Sequence, residues 1–285
     1  MSRFSIGVMV DSFRLPVAEG VRKAREVGAD GLQVYVVNGE MAVERLSAQA
    51  RRDFLSLVRD QGLTISALCG DLGGHGFQLP HENERKIAKS KAIVDLANDL
   101  ETAVVTTHIG VIPEDHDAPA YRNQLAVCRE LGRYAADHGV TFAIETGPEP
   151  AQRLRDFLDR LDTPGIGVNY DPANLVMVQN DDPVRGVRTL APYIVHTHAK
   201  DGVMLHRGNP EYIYGVVHPV PQEFQGIQYF AEVPLGQGNV HFDTYLRALD
   251  EVGYRGFLTI EREVGEDPAA DIRLAVAHLK ANMKD

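Results

Sequence analysis

TFAIE (141–145) is an apolar run that ends in a carboxylate, and three later segments of the chain repeat this design. They are IGVNYD (166–171), which ends at Asp171, IVHTH (194–198), which ends at His198, and FLTIE (257–261), which ends at Glu261. If these strands are neighbours in one parallel sheet, their C-terminal ends lie at one edge. Glu145 and the other three terminal side chains would then meet there. Three carboxylates and one imidazole at one edge predict a divalent-cation site.

Short apolar segments alternate with longer amphipathic ones along the whole chain, which is typical of βα units. We predict eight strands, over residues 4–10, 31–37, 64–70, 103–109, 141–145, 166–171, 193–199 and 256–261. Helices are predicted over 17–27, 48–61, 82–100, 120–137, 151–161, 183–190, 242–252 and 269–283. Eight βα units in 285 residues predict a (β/α)8 TIM barrel, a single domain over residues 1–285. The alternative, a doubly wound sheet, usually has fewer strands and a glycine-rich first βα turn, and no G-x-G-x-x-G follows the first strand here.

The charge balance and the hydropathy pattern exclude several classes of protein. Lys and Arg number 29 against 40 Asp and Glu, a net charge of −11, and nucleic-acid binding needs clustered cations instead. No window approaches 18 uncharged apolar residues and the N-terminus lacks a secretion-signal pattern, so we expect a cytoplasmic protein without a membrane partner. Cys69 and Cys128 are far apart in sequence, and we expect two buried, reduced thiols.

Residues 201–240, after the seventh strand, are rich in Gly, Pro, Tyr and His and show no regular period. A structureless loop of this length is usually functional. We predict that the 201–240 loop covers the substrate or contacts another subunit.

Side chains two residues apart share one face of a strand. Each strand-end ligand therefore shares a face with a small or polar residue of the same strand, namely Ala143, Asn169, His196 and Thr259. This arrangement is typical of a barrel interior that opens at its C-terminal mouth, where barrel enzymes place their catalysis. Oxygen ligands with one imidazole favour Mn²⁺ first, with Mg²⁺, Co²⁺ or Zn²⁺ as alternatives, and the lack of thiolates argues against a structural zinc.

Other polar residues close to these motifs are weaker candidates for substrate binding: His75, His108, Asn174, His196, Lys200 and Glu232. His108 is expected to hydrogen-bond a substrate hydroxyl. Lys200 is expected to hold an oxyanion or a phosphate, with a salt bridge to a nearby acid as the alternative. The turn with Gly236 and Gly238 follows Glu232, and we expect its glycines to serve the turn more than a phosphate.

The motifs around these residues are THIG (107–110), AIETGPEP (143–150), NYDPANL (169–175), HTHAKD (196–201), EVPLGQGNV (232–240) and LTIERE (258–263). Together they resemble the sugar-phosphate isomerase/epimerase family, the xylose-isomerase-like TIM barrels that include ketose 3-epimerases, inosose isomerases and inosose dehydratases. With the βα pattern, the resemblance covers nearly the whole chain. The combination of HTHAKD, DPANL and a glutamate on the eighth strand is specific, whereas each motif alone is not.

The resemblance implies a metal site and a pair of catalytic carboxylates. Glu145, Asp171, His198 and Glu261 match the family's metal ligands, and His198 is preferred over His196. Glu145 and Glu261 match the glutamates that remove a proton beside the carbonyl of a keto-sugar and return one from the opposite side. The implied activity is epimerisation or isomerisation through an enediolate. Members of the family often pair through their barrel mouths, which implies a homo-oligomer, a dimer or a tetramer.

Three positions depart from the family's pattern. Well-marked ketohexose 3-epimerases have a histidine where this chain has Asn174 and an arginine where it has Met204. In many members the second strand ends in a glutamate, and Gln33 stands there in this chain. The metal site and the two glutamates therefore agree with the family, while the residues that read the sugar do not.

Three other functions stay open at this point. A lyase that removes water or a glycosyl group from a keto-sugar would share the enediolate. A phosphodiesterase of the abasic-site endonuclease type shares the barrel, but it would need several metals and a basic groove. A non-catalytic sugar-binding barrel would contain no metal.

Overall fold

The computed structural model describes residues 4–73 and 75–283, and within these ranges the chain forms ten strands. In chain order they are β1 (Ser5–Met9), β2 (Gly31–Tyr35), β3 (Thr64–Cys69), β4 (Val104–Thr107), β5 (Thr141–Glu145), β6 (Ile166–Tyr170), β7 (Ile194–Ala199), β8 (Asp201–Met204), β9 (Phe230–Val233) and β10 (Phe257–Ile260). Eight of them close into a parallel barrel in the order β1-β10-β7-β6-β5-β4-β3-β2. The predicted single-domain (β/α)8 barrel is confirmed, and the extreme ends of its predicted range lie outside the described residues.

Helices lie in the connections between the barrel strands and after the last of them, and a short one lies between β8 and β9. They are α1 (Val17–Val27), α2 (Ala48–Asp60), α3 (Pro80–Asp99), α4 (Pro119–Asp137), α5 (Ala151–Leu161), α6 (Pro172–Asn174), α7 (Pro183–Leu190), α8 (Pro210–Ile213), α9 (Phe242–Glu251) and α10 (Pro268–Asn282). Every predicted helix is present, with ends that agree to about two residues, the ordinary uncertainty of a helix boundary.

Helix α5 shows why the helical prediction succeeds. Leu154, Phe157, Leu158 and Leu161 recur at i, i+3, i+4 and i+7, and all four are buried. That spacing produces one apolar stripe that packs against the barrel, while the charged residues between them face outward.

The register of the barrel strands sets the height of each polar residue in the interior. Glu145 lies opposite Asn169, and Asn169 lies opposite His196. One level nearer the mouth, His198 lies opposite Thr259 of the neighbouring strand β10. Polar side chains of β5, β6, β7 and β10 are therefore stacked in the same part of the barrel.

Residues 201–240 are not structureless, contrary to the prediction. Strands β8 and β9 form a two-stranded antiparallel sheet in which Asp201 pairs with Val233. Helix α8 and a 3₁₀ turn at Gln222–Phe224 lie between them. We refer to residues 201–240 as the mouth segment, because Ile213, Tyr214 and Phe230 line the cavity at the barrel mouth described below.

The glycine turn at the end of the mouth segment is organised by one buried carboxylate. Asp201, 1% exposed, accepts hydrogen bonds from the backbone N–H groups of Gly236 (2.9 Å), Gly238 (3.0 Å) and Val240 (3.0 Å). Gly236 has a φ of +87°, and a Cβ on Gly238 would clash with the Asp201 carboxylate. Both glycines therefore serve the turn, as predicted.

Cys69 and Cys128 are buried free thiols, as predicted. Burial raises the pKa of the Cys128 thiol, which keeps it protonated at neutral pH. Among the described residues, no helix combines the length and the apolar character that a membrane crossing requires.

Candidate metal centre and active site

The four predicted metal ligands meet at the C-terminal mouth of the barrel. Glu145 ends β5, Asp171 directly follows β6, His198 lies in β7, and Glu261 directly follows β10. All are buried, with exposures of 7%, 0%, 1% and 7% respectively. One ligand atom from each lies within 4.8 Å of the others. Ligand atoms at about 2.0–2.3 Å from a common cation would span up to about 4.6 Å, so the group has the size of a metal site.

Two buried polar atoms at the centre of this group have no hydrogen-bond partner: His198 Nδ1 and Asp171 Oδ2. His198 Nδ1 lies 3.5 Å from Glu145 Oε1, 3.5 Å from Asp171 Oδ2 and 3.4 Å from Glu261 Oε2. Unpaired buried polar atoms are rare because each one loses its hydration without compensation. A divalent cation among these atoms would satisfy both, and the residues present therefore fit a metal ion.

Gln33 of β2 orients His198, the predicted metal-ligand histidine. Its Oε1 lies 2.9 Å from His198 Nε2, and its Nε2 donates to Thr106 Oγ1 at 2.7 Å. With its NH₂ group bonded to Thr106, the amide presents its oxygen to the imidazole. With Nε2–H directed at Gln33, Nδ1 is the nitrogen that faces the three carboxylates, and it would be the atom that binds a metal ion.

Replacing Gln33 with Leu should weaken Mn²⁺ binding by roughly 10–100-fold, because the imidazole loses the acceptor that fixes its tautomer. Isothermal titration with Mn²⁺ measures this, and circular dichroism confirms that the variant is folded. Gln49→Leu, on the exposed face of α2 where the Gln49 side chain bonds Arg52 and Asp53, is the matched control. Equal Mn²⁺ affinity of folded Gln33→Leu and wild type would refute the orienting role.

Glu145 is held by two amides. Asn169 Nδ2 donates to its Oε2 at 3.0 Å, and Asn174 Nδ2 donates to its Oε1 at 3.1 Å. Burial alone would raise the pKa of Glu145, but His198 and His108 outweigh it and lower the pKa. The side chain is therefore a carboxylate at neutral pH, with both oxygens held by hydrogen bonds.

Glu261 is held by a buried lysine. Lys200, 4% exposed, lies 3.0 Å from Glu261 Oε2 and 2.5 Å from Glu263 Oε2. Burial opposes both charges, yet the ion pair prevails: it lowers the pKa of Glu261 and raises that of Lys200 well above its usual value. Of the two roles considered for Lys200, the structure shows the salt bridge.

A cavity of about 240 Å³ lies above the four ligands. Predicted residues on its wall are His108, Glu145, Asn174, Lys200 and Glu261. The His108 ring stacks edge-to-face on Tyr214 with centroids 5.3 Å apart, and its Nε2 lies 3.6 Å from Glu145 Oε1. Its Nδ1 is buried and has no hydrogen-bond partner.

The structure does not bring the other three predicted substrate-binding residues to this cavity. His196 lies deeper in the barrel, within hydrogen-bonding distance of Asn169 (2.8 Å), Ser66 (3.2 Å) and Thr259 (3.0 Å). Glu232 binds Arg262 at 2.7 Å. His75 lies in the loop after β3 and is not part of the cavity wall. His196 supports the amide that holds Glu145, and Glu232 stabilises the mouth segment.

Several wall residues were not predicted from the sequence: Tyr35, Cys69, Asp71, Met177, Val178, Ile213, Tyr214, Phe230 and Glu263. Tyr214 comes from the mouth segment and Asp71 from the loop after β3, where no strand pattern places a side chain. Glu263 follows the predicted Glu261 by two residues, and strand alternation was the one signal that could have found it.

Glu149, in the loop after β5, is 2% exposed, and its Oε2 accepts the backbone N–H of Ile112 at 3.1 Å. Burial raises its pKa from 4.5 to about 7, although the Ile112 N–H and Arg153 lower it. A raised acid pKa means that the folded state holds the proton more tightly than the unfolded state. Stability from this group is therefore present at low pH and lost as pH rises from about 4.5 to about 7.

Glu149→Gln should remove the loss of folding stability that the buried Glu149 causes as pH rises. Relative to wild type, the free energy of unfolding of the variant should rise by about 3 kcal/mol between pH 5 and pH 8. Urea unfolding at the two pH values measures it. Glu130→Gln, at an exposed ion pair with Lys91, is the control. A difference between Glu149→Gln and wild type that is the same at both pH values would contradict the assignment.

The geometry agrees with the outcome of comparison with known proteins. The family model for the xylose isomerase-like TIM barrel matches residues 21–282, which is most of the chain. The chain belongs to the xylose isomerase-like TIM barrel family. This match confirms the family resemblance that the sequence motifs of the xylose isomerase-like barrel indicated.

Curated relatives of this xylose isomerase-like barrel are distant. It is 24% identical over 279 residues to L-ribulose-5-phosphate 3-epimerase of Escherichia coli, covering 93% of this chain and 89% of the relative. It is 26% identical over 144 residues to an inosose dehydratase of Clostridium botulinum, covering 49% and 45%. An uncharacterized protein of Methanocaldococcus jannaschii matches at 23% over 181 residues, which is 60% of this chain and 54%, about half, of that relative.

Solved structures show the same fold. A xylose isomerase domain protein from Planctomyces limnophilus has a TM-score of 0.79 at 26% identity, covering 99% of this chain and 97% of that chain. A probable 3-DHS dehydratase from Bacillus anthracis has a TM-score of 0.75 at 20% identity, covering 97% and 99%. A xylose isomerase-like barrel from Mycobacterium smegmatis, in complex with magnesium, has a TM-score of 0.72 at 20% identity, covering 99% of both chains.

Proposed function

We propose that this protein is a divalent-metal-dependent epimerase or isomerase of a keto-sugar, an inosose or a sugar phosphate. One observation carries the proposal: two buried carboxylates, Glu145 and Glu261, share a metal-type cluster at the base of a cavity. Their strands β5 and β10 lie three positions apart around the eight-stranded barrel. The carboxylates therefore reach the mouth from different sides, as removal and return of a proton on opposite faces of one carbon requires.

The chemistry follows from these two positions. When bound, the cation would stabilise the negative charge that the carbonyl oxygen gains in an enediolate. Glu145, held by Asn169 and Asn174, is a carboxylate that accepts a proton from the carbon beside that carbonyl. Glu261, held by Lys200, acts on the other face. His108 and Asn174 then bind substrate hydroxyls from the cavity wall.

The test is proton exchange in D₂O, followed by NMR, with a panel of D-fructose, D-tagatose, D-ribulose, an inosose and the corresponding phosphates. We expect deuterium to enter at the carbon beside the carbonyl when Mn²⁺ is present, and exchange to stop after chelation. Mn²⁺ is the proposed ion, with Mg²⁺, Co²⁺ and Zn²⁺ compared in parallel. Absence of exchange with every member and every metal would sink the proposal and favour a binding protein.

A lyase is the second candidate, and a specific observation favours it: relatives and neighbours of this barrel include dehydratases. The same NMR time course separates the two, because loss of water changes the molecular formula of the product and epimerisation does not. An abasic-site endonuclease is disfavoured by the acidic cavity wall and the net charge of −11. A cytoplasmic location and assembly into dimers or tetramers stay predictions.

A further inference from the structure

Acidic groups dominate the cavity. Asp71, Glu145, Glu261 and Glu263 line it, and Asp171 lies beneath them. Among the described residues, Lys200 is the only lysine or arginine in the wall. Lys200 and a bound dication together offset three of the five negative charges, and a protonated His108 would offset one more. The cavity therefore stays net negative even with its metal in place.

Lys200 and two arginines of a neighbouring recess already have hydrogen-bond or ion-pair partners. Lys200 contacts both Glu261 and Glu263. Arg262 binds Glu232 at 2.7 Å and Asp271 at 2.8 Å. Arg14 donates to the backbone oxygens of Glu263 and Gly265, in a neighbouring recess that it shares with Asp11 and Glu263.

The backbone positions where TIM barrels commonly bind phosphate are filled by the chain's own carboxylates. Such sites are built from the loops after the last two barrel strands and a helix N-terminus. After β7, the N–H groups of Gly236 and Gly238 already donate to Asp201. After β10, Asp267 caps the N-terminus of α10 by accepting the Ala270 N–H at 3.0 Å. The N–H groups named here at both positions therefore already have a carboxylate partner, where a phosphate group would need free donors.

From these three observations we infer that the substrate is an uncharged, unphosphorylated polyhydroxy ketone. The inference rests on the proposed function and narrows it, since the proposal alone admits sugar phosphates. A neutral ketone presents hydroxyl donors to the carboxylates of the wall. A phosphate dianion would face like charges, while the lysine and the two arginines named above already have partners, which is the kind of contact that excludes a wrong partner.

The test compares matched pairs, D-ribulose with D-ribulose 5-phosphate and D-fructose with D-fructose 6-phosphate, on the Mn²⁺-loaded protein. We expect kcat/KM for deuterium exchange to be about 100-fold higher for the neutral member of a pair that reacts, and the ratio to shrink at high ionic strength. Faster exchange of the phosphorylated member would overturn the inference.

A charge-reversal variant tests whether the negative charge of the wall causes the selection against phosphorylated substrates. Glu263→Lys, at a largely exposed wall position, should lower the neutral-to-phosphate ratio by about tenfold, because it replaces a negative charge with a positive one. The same reversal at Glu130, on the exposed surface of α4, should leave the ratio unchanged. A ratio that Glu263→Lys does not alter counts against charge as the basis of selection.

Failure of the proposed function is distinguishable from failure of this inference. If no ketose exchanges, the proposed function is wrong, and thermal unfolding with the same pairs decides the inference separately. Stabilisation by the neutral member alone supports it. Stabilisation by the phosphorylated member, or by neither, overturns it.

Discussion

Glu145→Gln and Glu261→Gln should each abolish interconversion of two epimers by the metal-loaded protein, with a loss of roughly 10²–10⁴-fold. An amide of the same size cannot accept the proton. Because the two carboxylates reach the substrate from different sides, each epimer presents its proton to one of them. Each variant should therefore lose deuterium exchange with one epimer and retain exchange with the other. The epimer that Glu145→Gln still exchanges should be the one that Glu261→Gln does not.

This pattern separates proton transfer from metal binding. Both glutamates belong to the candidate metal cluster, so a variant that merely loses the ion would lose exchange with both epimers. The assay is therefore run at saturating Mn²⁺, with bound metal measured on the same samples. Glu130→Gln is the control for the substitution itself. Exchange of both epimers within tenfold of wild type in both variants would rule out these glutamates as the bases.

The sequence predicted the barrel and the grouping of the four candidate metal ligands because both depend on short-range patterns. Helical and strand periods are visible within about ten residues of sequence. In a parallel barrel, all C-terminal strand ends lie at one mouth, so a ligand at the end of a strand is placed there. Glu145, Asp171, His198 and Glu261 were found in this way, although they come from four different strands.

Height along the barrel axis was not predictable from the same pattern. Strand alternation correctly placed His196 on the face of His198, but two residues along a strand is about 6.6 Å, enough to separate a cavity from the packed interior. Glu232 illustrates another limit. Its partner Arg262 is 30 residues away, and no local signal links them.

Contacts between residues that are far apart in sequence account for the features of the site that were not predicted. Gln33 and His198 are 165 residues apart, so the pair is visible only once β2 and β7 face each other across the barrel. The mouth segment behaves likewise: β8 and β9 are four-residue strands that stabilise each other only when paired. Tyr214 reaches the cavity because that pairing holds the segment over the mouth.

Asp171→Asn should remove metal binding and leave the fold intact, because the two oxygens of Asp171 have separate tasks. Oδ1 accepts the backbone N–H groups of Ala173 (2.7 Å) and Asn174 (3.0 Å) and so caps α6. Oδ2 has no partner and lies 3.5 Å from His198 Nδ1. Asparagine keeps an oxygen for the cap and replaces the metal-facing oxygen with an NH₂ group, which cannot coordinate a cation.

Two measurements check this. Isothermal titration should show at least about a 100-fold loss of Mn²⁺ affinity. Mn²⁺ at about 1,000 times the wild-type Kd should raise the free energy of unfolding of wild type by about 4 kcal/mol, and that of the variant by far less. Asp182→Asn is the matched control, since Asp182 caps α7 through Val184 and Arg185 at an exposed position away from the cluster. Wild-type affinity in Asp171→Asn would show that the orphaned oxygen is not a metal ligand, and a variant unfolded without metal would show that the two oxygens cannot be separated.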